Sequence, residues 1–178
     1  MLRIYYIESG NNFMCKTVLA FGSNLGNRLE NLKTAIELVD KLPRTKVLKI
    51  SNIYESEPAN VLEKQNLYLN CCASITTELG PHALLNSCFK IETLLGRKRL
   101  YKNSPRTIDI DIILYDILNI NDKNLTIPHP SWKIRDFVMV PMLDLYENKT
   151  PEKLNIEKLL KNLKKKYIAR IFSKEKFA

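Results

Sequence analysis

The sequence predicts an α+β fold of the ferredoxin-like type, in which an antiparallel sheet is covered by helices in the order β-α-β-β-α-β. Three observations predict it. Short apolar, β-rich runs alternate with stretches of helical periodicity. Helix-start and helix-stop signals bound those helical stretches. The chain has 178 residues, of which 45% are hydrophobic, so we expect a single domain with its own core over residues 1–178.

The first half of the chain reads as strand, helix, strand. Residues 17–21 are predicted as a short apolar strand that ends in a glycine-containing turn. Asn27 can cap the helix that follows, with Glu30 as the reciprocal partner. Apolar residues then recur on one helical face until Pro43. Residues 47–54 are predicted as the second strand.

The second half of the chain also reads as strand, helix, strand, but other residues mark the ends of its helix. Residues 67–77 are predicted as the third strand. Gly80 and Pro81 open a second helix, because proline is tolerated in the first turn, and Gly96 closes that helix. A basic loop over 97–106 leads into the last predicted strand.

The positive charge is concentrated near the C-terminus. Residues 149–178 contain ten Lys or Arg against three Glu, a net of +7 out of the +9 of the whole chain. Apolar residues recur there at helical spacing, so we expect an extra amphipathic C-terminal helix over 150–178 with a solvated basic face. The alternative interpretation of this charge is contact with nucleic acid or an anionic surface.

Several protein classes are disfavoured by composition. No apolar run approaches the roughly 18 residues of a membrane span, and the first residues contain no secretory apolar region. Four cysteines without a C-x-x-C spacing predict free thiols in a reducing cytoplasm, and only two histidines argue against a zinc site. Residues 1–16 are expected to form an N-terminal extension.

Two aspartates lie inside the last predicted strand. Asp109 and Asp111 point to the same face, with their Cα atoms about 6.6 Å apart. Aspartate is disfavoured in strands, and neighbouring carboxylates repel each other. Oxygen ligands suit Mg²⁺ together with substrate phosphates, and paired ions can clamp a transferring phosphoryl group. The alternative is two exposed edge-strand aspartates paired with lysines.

The basic loop before this strand strengthens the phosphate interpretation. Its cations are Arg97, Lys98, Arg99, Lys102 and Arg106. Guanidinium groups match phosphate oxygens in a bidentate manner, so the loop and the two carboxylates together predict a metal-triphosphate site. A solvated loop is the alternative. The turn after the first strand lacks the Gly-Lys-Ser/Thr of a P-loop.

Six segments of the chain, in order, carry a resemblance to a known family: LAFGSNLGNRLENLKTAI, SNIYESEP, YLNCCASITTEL, KIETLLGRKR, SPRTIDIDIILYD and LTIPHPSWKIRDFVMVPMLDL. They resemble segments of the 6-hydroxymethyl-7,8-dihydropterin pyrophosphokinases of folate biosynthesis, and the resemblance covers Thr17 to Leu145. An ordered set of this kind is more specific than any one motif.

The resemblance implies transfer of a pyrophosphoryl group from ATP to the hydroxymethyl oxygen of the pterin, with release of AMP. It implies two Mg²⁺ ions held by Asp109 and Asp111, and ATP as co-substrate. The implied catalytic residues are Asp109, Asp111, Arg99 and Arg106. The expected partners are these small molecules alone, with neither membrane nor nucleic acid, and the expected state is a cytoplasmic monomer.

The resemblance also implies two sets of binding residues. For the pterin, Tyr68 and Phe137 match the stacking pair, Asn70 matches the edge-reading residue, and Ser56 matches a loop residue that reads the ring through its backbone. For ATP, the matching residues are Glu92, Arg97, Arg99, Arg106, Ile112, Thr126, His129 and Arg135.

The sequence departs from the family pattern at a few positions. Phe89 stands where a glutamine near the adenine is common, and Pro130 replaces an aromatic residue. Tyr101 or Asn103 stands where the family often has a tryptophan, and Ser104 replaces a glycine. These departures concern adenine and loop contacts, and they leave the metal pair and the pterin residues in place.

Three other functions remain open from the sequence. A ferredoxin-like sheet also builds RNA-recognition modules, although the Lys/Arg-Gly-aromatic pattern of such modules is missing here. Another metal-dependent nucleotidyl transferase could use the same aspartates. A catalytically silent homologue would have little reason to hold Asp109 beside Asp111.

Overall fold

The computed structural model of the chain describes residues 14–59, 61, 63–98, 101, 103–146 and 148–173. Most of the predicted N-terminal extension, together with Arg99 and Lys102 of the basic loop, lies outside the described residues. In the part of the chain that is described, no helix combines the length and apolar character that a membrane span requires.

The predicted β-α-β-β-α-β order is confirmed. The elements are β1 (Cys15–Ser23), α1 (Arg28–Asp40), β2 (Thr45–Ile50), β3 (Ile53–Ser56), β4 (Tyr68–Thr77), α2 (Pro81–Leu94), β5 (Asp109–Tyr115), β6 (Ile120–Asn121), β7 (Thr126–Ile127), α3 (Asp136–Leu143), α4 (Pro151–Lys161) and β8 (Ile168–Ser173). The main sheet has the strand order β5-β1-β4-β3-β8, with β2 also paired to β4. All these pairings are antiparallel, and β6 and β7 form a separate small hairpin.

The strand predicted over 47–54 is two strands with a break at Ser51 and Asn52. At the break, backbone N–H groups donate to side-chain oxygens. The backbone N–H of Cys72 donates to Oγ of Ser51 at 2.9 Å. The N–H of Asn52 donates to a carboxylate oxygen of Asp144 at 3.0 Å. Because one of these acceptors lies 92 residues away, local propensity could not reveal the break.

The prediction of one helix over 150–178 is correct for α4 but wrong over residues 162–173, and residues 174–178 lie outside the described residues. Residues 168–173 form β8, which extends the sheet beside β3. Apolar and β-branched residues there fit a strand as well as a helix. The strand is also held by charge, because Glu55 on β3 accepts from Arg170 at 2.8 Å and pairs with Arg28 at 2.9 Å.

The core has two parts, one on each face of the sheet. On one face, buried residues of α1 and α2 pack against strands, as Leu32 and Leu84 do with Leu19 and Phe21. On the other face, Met139 of α3 packs in a second cluster around Ile113, Trp132 and Cys72. Side chains at one end of this second face line a cleft.

Candidate functional site

The strand register brings the predicted site residues into rows across the open end of the sheet. Gly22 on β1 lies opposite Asn70 on β4 and opposite Asp109 on β5. In the next row of the same face, Ala20 lies opposite Asp111. Asp109 and Asp111 are partly exposed whereas Ile110 and Ile112 between and beyond them are buried. The two carboxylates thus lie on the same face of β5, as the sequence predicted.

A side chain at position 22 would crowd the cleft. A Cβ atom there would lie 3.3 Å from Oδ1 of Asn70 and 3.8 Å from Cδ1 of Tyr68. The first distance is tighter than ordinary Cβ contacts. The bare Gly22 backbone therefore forms the floor between the asparagine and the carboxylates.

The four residues predicted to bind the pterin line one cleft: Ser56, Tyr68, Asn70 and Phe137. The amide Nδ2 of Asn70 donates to Oγ of Ser56 at 2.9 Å. This bond fixes the amide orientation and places its acceptor Oδ1 on the side of Gly22. Burial raises the pKa of Tyr68 above its ordinary value, so its ring stays neutral.

Seven of the residues predicted to bind ATP line a second cleft: Glu92, Arg97, Arg106, Ile112, Thr126, His129 and Arg135. The eighth, Arg99, lies outside the described residues. Both clefts share Arg106, Asp109, Asp111 and Arg135. The carboxylate pair therefore stands where the two clefts meet.

Asp109 is held as a carboxylate by two arginines. Its Oδ1 accepts from Arg97 and its Oδ2 from Arg106, each at 2.5 Å. Burial raises the pKa of Asp109, but the charges of Arg106 and Arg97 outweigh burial and hold the pKa below its ordinary value. Asp109 is accordingly ionised at neutral pH.

Asp111 has a different environment. Among the described residues, Oδ2 of Asp111 lies 3.6 Å from Nη1 of Arg135 and 3.8 Å from Nε2 of His129. Burial, and then the charge of Asp109, raise the pKa of Asp111 to about 7. Burial and the charge of Arg135 lower the pKa of His129 to about 4, so this imidazole is neutral and offers little compensating charge.

Glu92 lines the second cleft but contacts protein groups. It is only 2% exposed. Its Oε1 accepts from the backbone N–H of Ile110 at 2.8 Å and also from Arg97. The side chain therefore orients Arg97 toward Asp109 and ties α2 to the edge strand β5. Main-chain N–H groups two residues apart on a strand point in the same direction. The N–H of Ile112 therefore points to the same side as the N–H of Ile110, toward the second cleft.

The sequence interpretation missed a polar clasp beside Arg106. Oδ1 of the buried Asn24 accepts from the backbone N–H of Arg106 at 2.8 Å, and the Asn24 N–H donates to the Arg106 carbonyl at 3.1 Å. Nδ2 of Asn24 donates to Gln65 at 3.1 Å, and Gln65 donates to the carbonyl of Asn103 at 2.9 Å. The clasp joins three loops around the first cleft. Asn24 lies in the turn after β1, and no periodicity distinguishes it there.

The departures from the family pattern fall on the rims of the two clefts. Asn103 lines the first cleft. Tyr101 is 46% exposed, and its hydroxyl donates to Glu63. Phe89 and Pro130 line the second cleft. The sequence offered Tyr101 or Asn103 at the position of the missing tryptophan. Of these two residues, Asn103 is the one that lines the first cleft.

Fold and site together define a class of protein: a small α+β protein that brings two clefts together at a carboxylate pair flanked by arginines. Residues 18–147 match the sequence profile of the 7,8-dihydro-6-hydroxymethylpterin-pyrophosphokinase (HPPK) family. The chain belongs to that family.

Relatives support the same membership. The chain is 37% identical over 139 residues to 2-amino-4-hydroxy-6-hydroxymethyldihydropteridine pyrophosphokinase of Bacillus subtilis, which covers 78% of this chain and 83% of that protein. It is 40% identical over 141 residues to the folic acid synthesis protein FOL1 of Dictyostelium discoideum, covering 79% of this chain. The chain spans only 20% of FOL1 and 43% of the bifunctional protein FolKE of Lactococcus lactis.

Solved structures show the same fold. The HPPK-DHPS of Plasmodium falciparum with STZ-DHP superposes with a TM-score of 0.63 at 18% identity, covering 86% of this chain and 44% of that one. An HPPK-DHPS in complex with substrates gives a TM-score of 0.60 at 18% identity, covering 83% and 44%.

Proposed function

We propose that this protein transfers pyrophosphate from ATP to 6-hydroxymethyl-7,8-dihydropterin and releases AMP, as an enzyme of folate biosynthesis. The observation that carries the proposal is the meeting of two clefts at Asp109 and Asp111. A reaction between two bound substrates needs such a junction, because catalysis depends on holding the reacting atoms in line. The proposal includes a cytoplasmic monomer that acts on small molecules, without membrane or nucleic-acid partners.

The first cleft suits a flat, polar bicycle such as the pterin. Tyr68 and Phe137 offer aromatic faces, and Asn70 offers a fixed acceptor at the ring edge. The backbone at Ser56, beside Asn70, can read the same edge. The cleft floor at Gly22 leads toward Asp109, so the hydroxymethyl group of a bound pterin would point to the junction.

The second cleft suits a nucleoside triphosphate. A triphosphate carries about four negative charges, and guanidinium groups bind phosphate oxygens strongly. Arg97, Arg106 and Arg135 converge at the junction, and we propose that Arg99 joins them. The imidazole of His129 can donate one N–H to a phosphate oxygen. Ile112 through its backbone, and Thr126 on β7, would hold the nucleoside end.

The two carboxylates fit Mg²⁺. Within the described part of the chain, no group of three or more His, Cys, Asp or Glu is placed to hold a metal. Two carboxylates that leave the other positions to phosphate oxygens and water are the arrangement Mg²⁺ favours. Asp109 is ionised, and the guanidinium group of Arg135 lies 3.6 Å from Asp111. We propose that the two carboxylates together hold the two ions. When bound, the ions would neutralise the triphosphate and polarise the phosphorus under attack.

The chain's own residues supply position and charge. The hydroxymethyl oxygen forms a bond to the β-phosphorus, the bond from that phosphorus to the α,β-bridging oxygen breaks, and AMP leaves. The lowered pKa of Asp109 makes it a weak base. It would therefore orient the hydroxyl as a hydrogen-bond acceptor, and the proton would pass to solvent. Arg97 and Arg106 would stabilise the developing charge on the phosphate oxygens.

The nucleotide product tests the proposal. The protein is incubated with ATP, 6-hydroxymethyl-7,8-dihydropterin and Mg²⁺, and the products are separated by anion exchange, with a pterin-free reaction as control. We expect AMP in equal amount to the pterin diphosphate, and little AMP without pterin. ADP as the main product would refute a pyrophosphokinase and favour another kinase chemistry on the same aspartates.

A further inference from the structure

The C-terminal residues Tyr167 and Ile168 lie beyond residues 18–147 that match the family, yet they contact residues that line the first cleft. We infer that Tyr167 is a positioning residue for pterin binding, acting through Phe137 and through the backbone at Glu57. This inference rests on the proposed function, since it assigns a further residue to the pterin cleft.

The first contact is between rings. The centroids of Tyr167 and Phe137 lie 5.8 Å apart with an interplanar angle of 80°, an edge-to-face pair. Such a pair has a preferred orientation, so Tyr167 limits how far the Phe137 ring can turn. Arg135 lies 5.8 Å from the centroid of the Phe137 ring. A stacking residue held by neighbours on more than one side is preorganised to receive a flat ligand.

The second contact is a shared carboxylate. Asp136 is only 2% exposed, and its Oδ1 accepts from the backbone N–H of Phe137 at 2.9 Å. Its Oδ2 accepts from the N–H groups of Tyr167 at 2.8 Å and Ile168 at 3.0 Å. One buried side chain therefore fixes the backbones of both aromatic residues relative to each other. Hydrogen bonds to a charged group are among the stronger ones in proteins.

The third contact reaches two further residues of the cleft wall. The backbone N–H of Glu57 donates to the carbonyl of Tyr167 at 2.8 Å, and Ile168 pairs with Ser56. Ser56 and Glu57 both line the cleft. The dipeptide at 167–168 thus joins the wall carrying Phe137 to the wall carrying Ser56, and it sets the spacing in which a pterin would lie.

A merely structural tyrosine and a positioning tyrosine differ in what substitution changes. If Tyr167 only supported the fold, replacing it would lower the melting temperature and leave the two ligand affinities changed together or unchanged. If it positions Phe137, pterin affinity falls while nucleotide affinity stays, because Phe137 and Glu57, which Tyr167 contacts, line the first cleft and are not among the residues that line the second.

The test is calorimetric titration of the whole chain with 6-hydroxymethylpterin and, separately, with a non-hydrolysable ATP analogue and Mg²⁺. The main variant is Tyr167→Leu, which keeps an apolar side chain and the backbone hydrogen bonds but removes the ring. We expect its Kd for the pterin to rise about three- to ten-fold, the range for loss of an aromatic pair. Its Kd for the nucleotide should stay within about two-fold.

Two further variants are matched to it. Tyr167→Phe keeps the ring and should restore pterin affinity to within about two-fold of wild type. Phe172→Ala removes a 38% exposed ring from the same strand β8 and should leave both affinities unchanged. Three outcomes would overturn the positioning role. They are wild-type pterin affinity in Tyr167→Leu, an equal loss of pterin and nucleotide affinity in that variant, and failure of that variant to fold. No pterin binding by the wild type would overturn the proposed function itself.

Discussion

Replacing Gly22 with alanine should damage pterin binding while leaving ATP binding and the fold nearly intact. The added Cβ would lie 3.3 Å from Oδ1 of Asn70 and 3.8 Å from Cδ1 of Tyr68. The asparagine cannot turn away freely, because its Nδ2 donates to Oγ of Ser56 at 2.9 Å. The methyl group would therefore both fill the floor of the cleft and push on the residue that reads the pterin edge.

The size of the effect follows from this geometry. A change of one methylene in a binding pocket is worth about 1–3 kcal/mol, and overpacking has a cost of similar size. We expect kcat/KM for the pterin to fall about ten- to hundred-fold, which corresponds to about 1.4–2.8 kcal/mol. Gly22 lines the first cleft and is not among the residues that line the second. The KM for ATP should therefore change by less than about two-fold.

The assay is steady-state kinetics with each substrate varied in turn, together with a thermal melt. Gly80→Ala is the matched control, because no atom lies within 4 Å of a Cβ built there. Both substitutions reduce the entropy of the unfolded chain in the same way. The reasoning is refuted if Gly22→Ala keeps the pterin kcat/KM of Gly80→Ala.

Three further predictions follow from contacts of single side chains. Asp109→Ala and Asp111→Ala should each abolish measurable turnover, a loss of about 3 kcal/mol or more of transition-state stabilisation, with folding checked by circular dichroism; near-normal rates in both would exclude the carboxylate pair. Asn24→Ala should lower kcat about ten-fold through displacement of Arg106, and urea unfolding should show a loss of about 1–3 kcal/mol for the unsatisfied buried group; an unchanged kcat would contradict the clasp. Burial raises the pKa of Glu55, but its two arginine partners outweigh burial and hold the pKa below the ordinary 4.5, so its stabilisation is present above that pH and lost as pH falls through the lowered pKa. Unfolding of wild type and Glu55→Gln between pH 3 and 7 should show a difference that shrinks at the acid end, and a constant difference would count against the ion pairs.

Local patterns predicted the parts of the fold that depend on neighbours in sequence. Asn27 caps α1 by accepting from the N–H of Glu30 at 3.2 Å, as the spacing indicated. The two aspartates share a face because side chains alternate along any strand. The helix prediction failed for the second half of the C-terminal segment, because its apolar residues suit the period of a strand as well as that of a helix. What makes it a strand is the free edge of β3 and the carboxylate of Asp136, 31 residues from Tyr167.

The site shows the same division. The resemblance named residues that the structure sorts into two clefts, which spacing alone could not have done. Side chains that act on other side chains were not distinguished from those that face a ligand, as Glu92 shows. Asn24 was missed because its partner Arg106 lies 82 residues away, and a hydrogen bond over that separation leaves no pattern in the sequence.

The ion pairs of Asp109 have a consequence for how charged molecules can enter the junction. Arg97 and Arg106 converge on the two oxygens of one small anion, so to these guanidinium groups the carboxylate imitates a phosphate. Under the proposed function, an incoming triphosphate would compete with Asp109 for the same donors. A triphosphate that took these donors without a metal ion would leave the partly buried carboxylate of Asp109 without a counter-charge, which is costly. A triphosphate that arrives with a bound dication would avoid this cost, because the dication could pair with Asp109 while the arginines pair with the phosphate oxygens. Under the proposed function, we therefore expect the junction to discriminate between the free nucleotide and its magnesium complex before any chemistry begins.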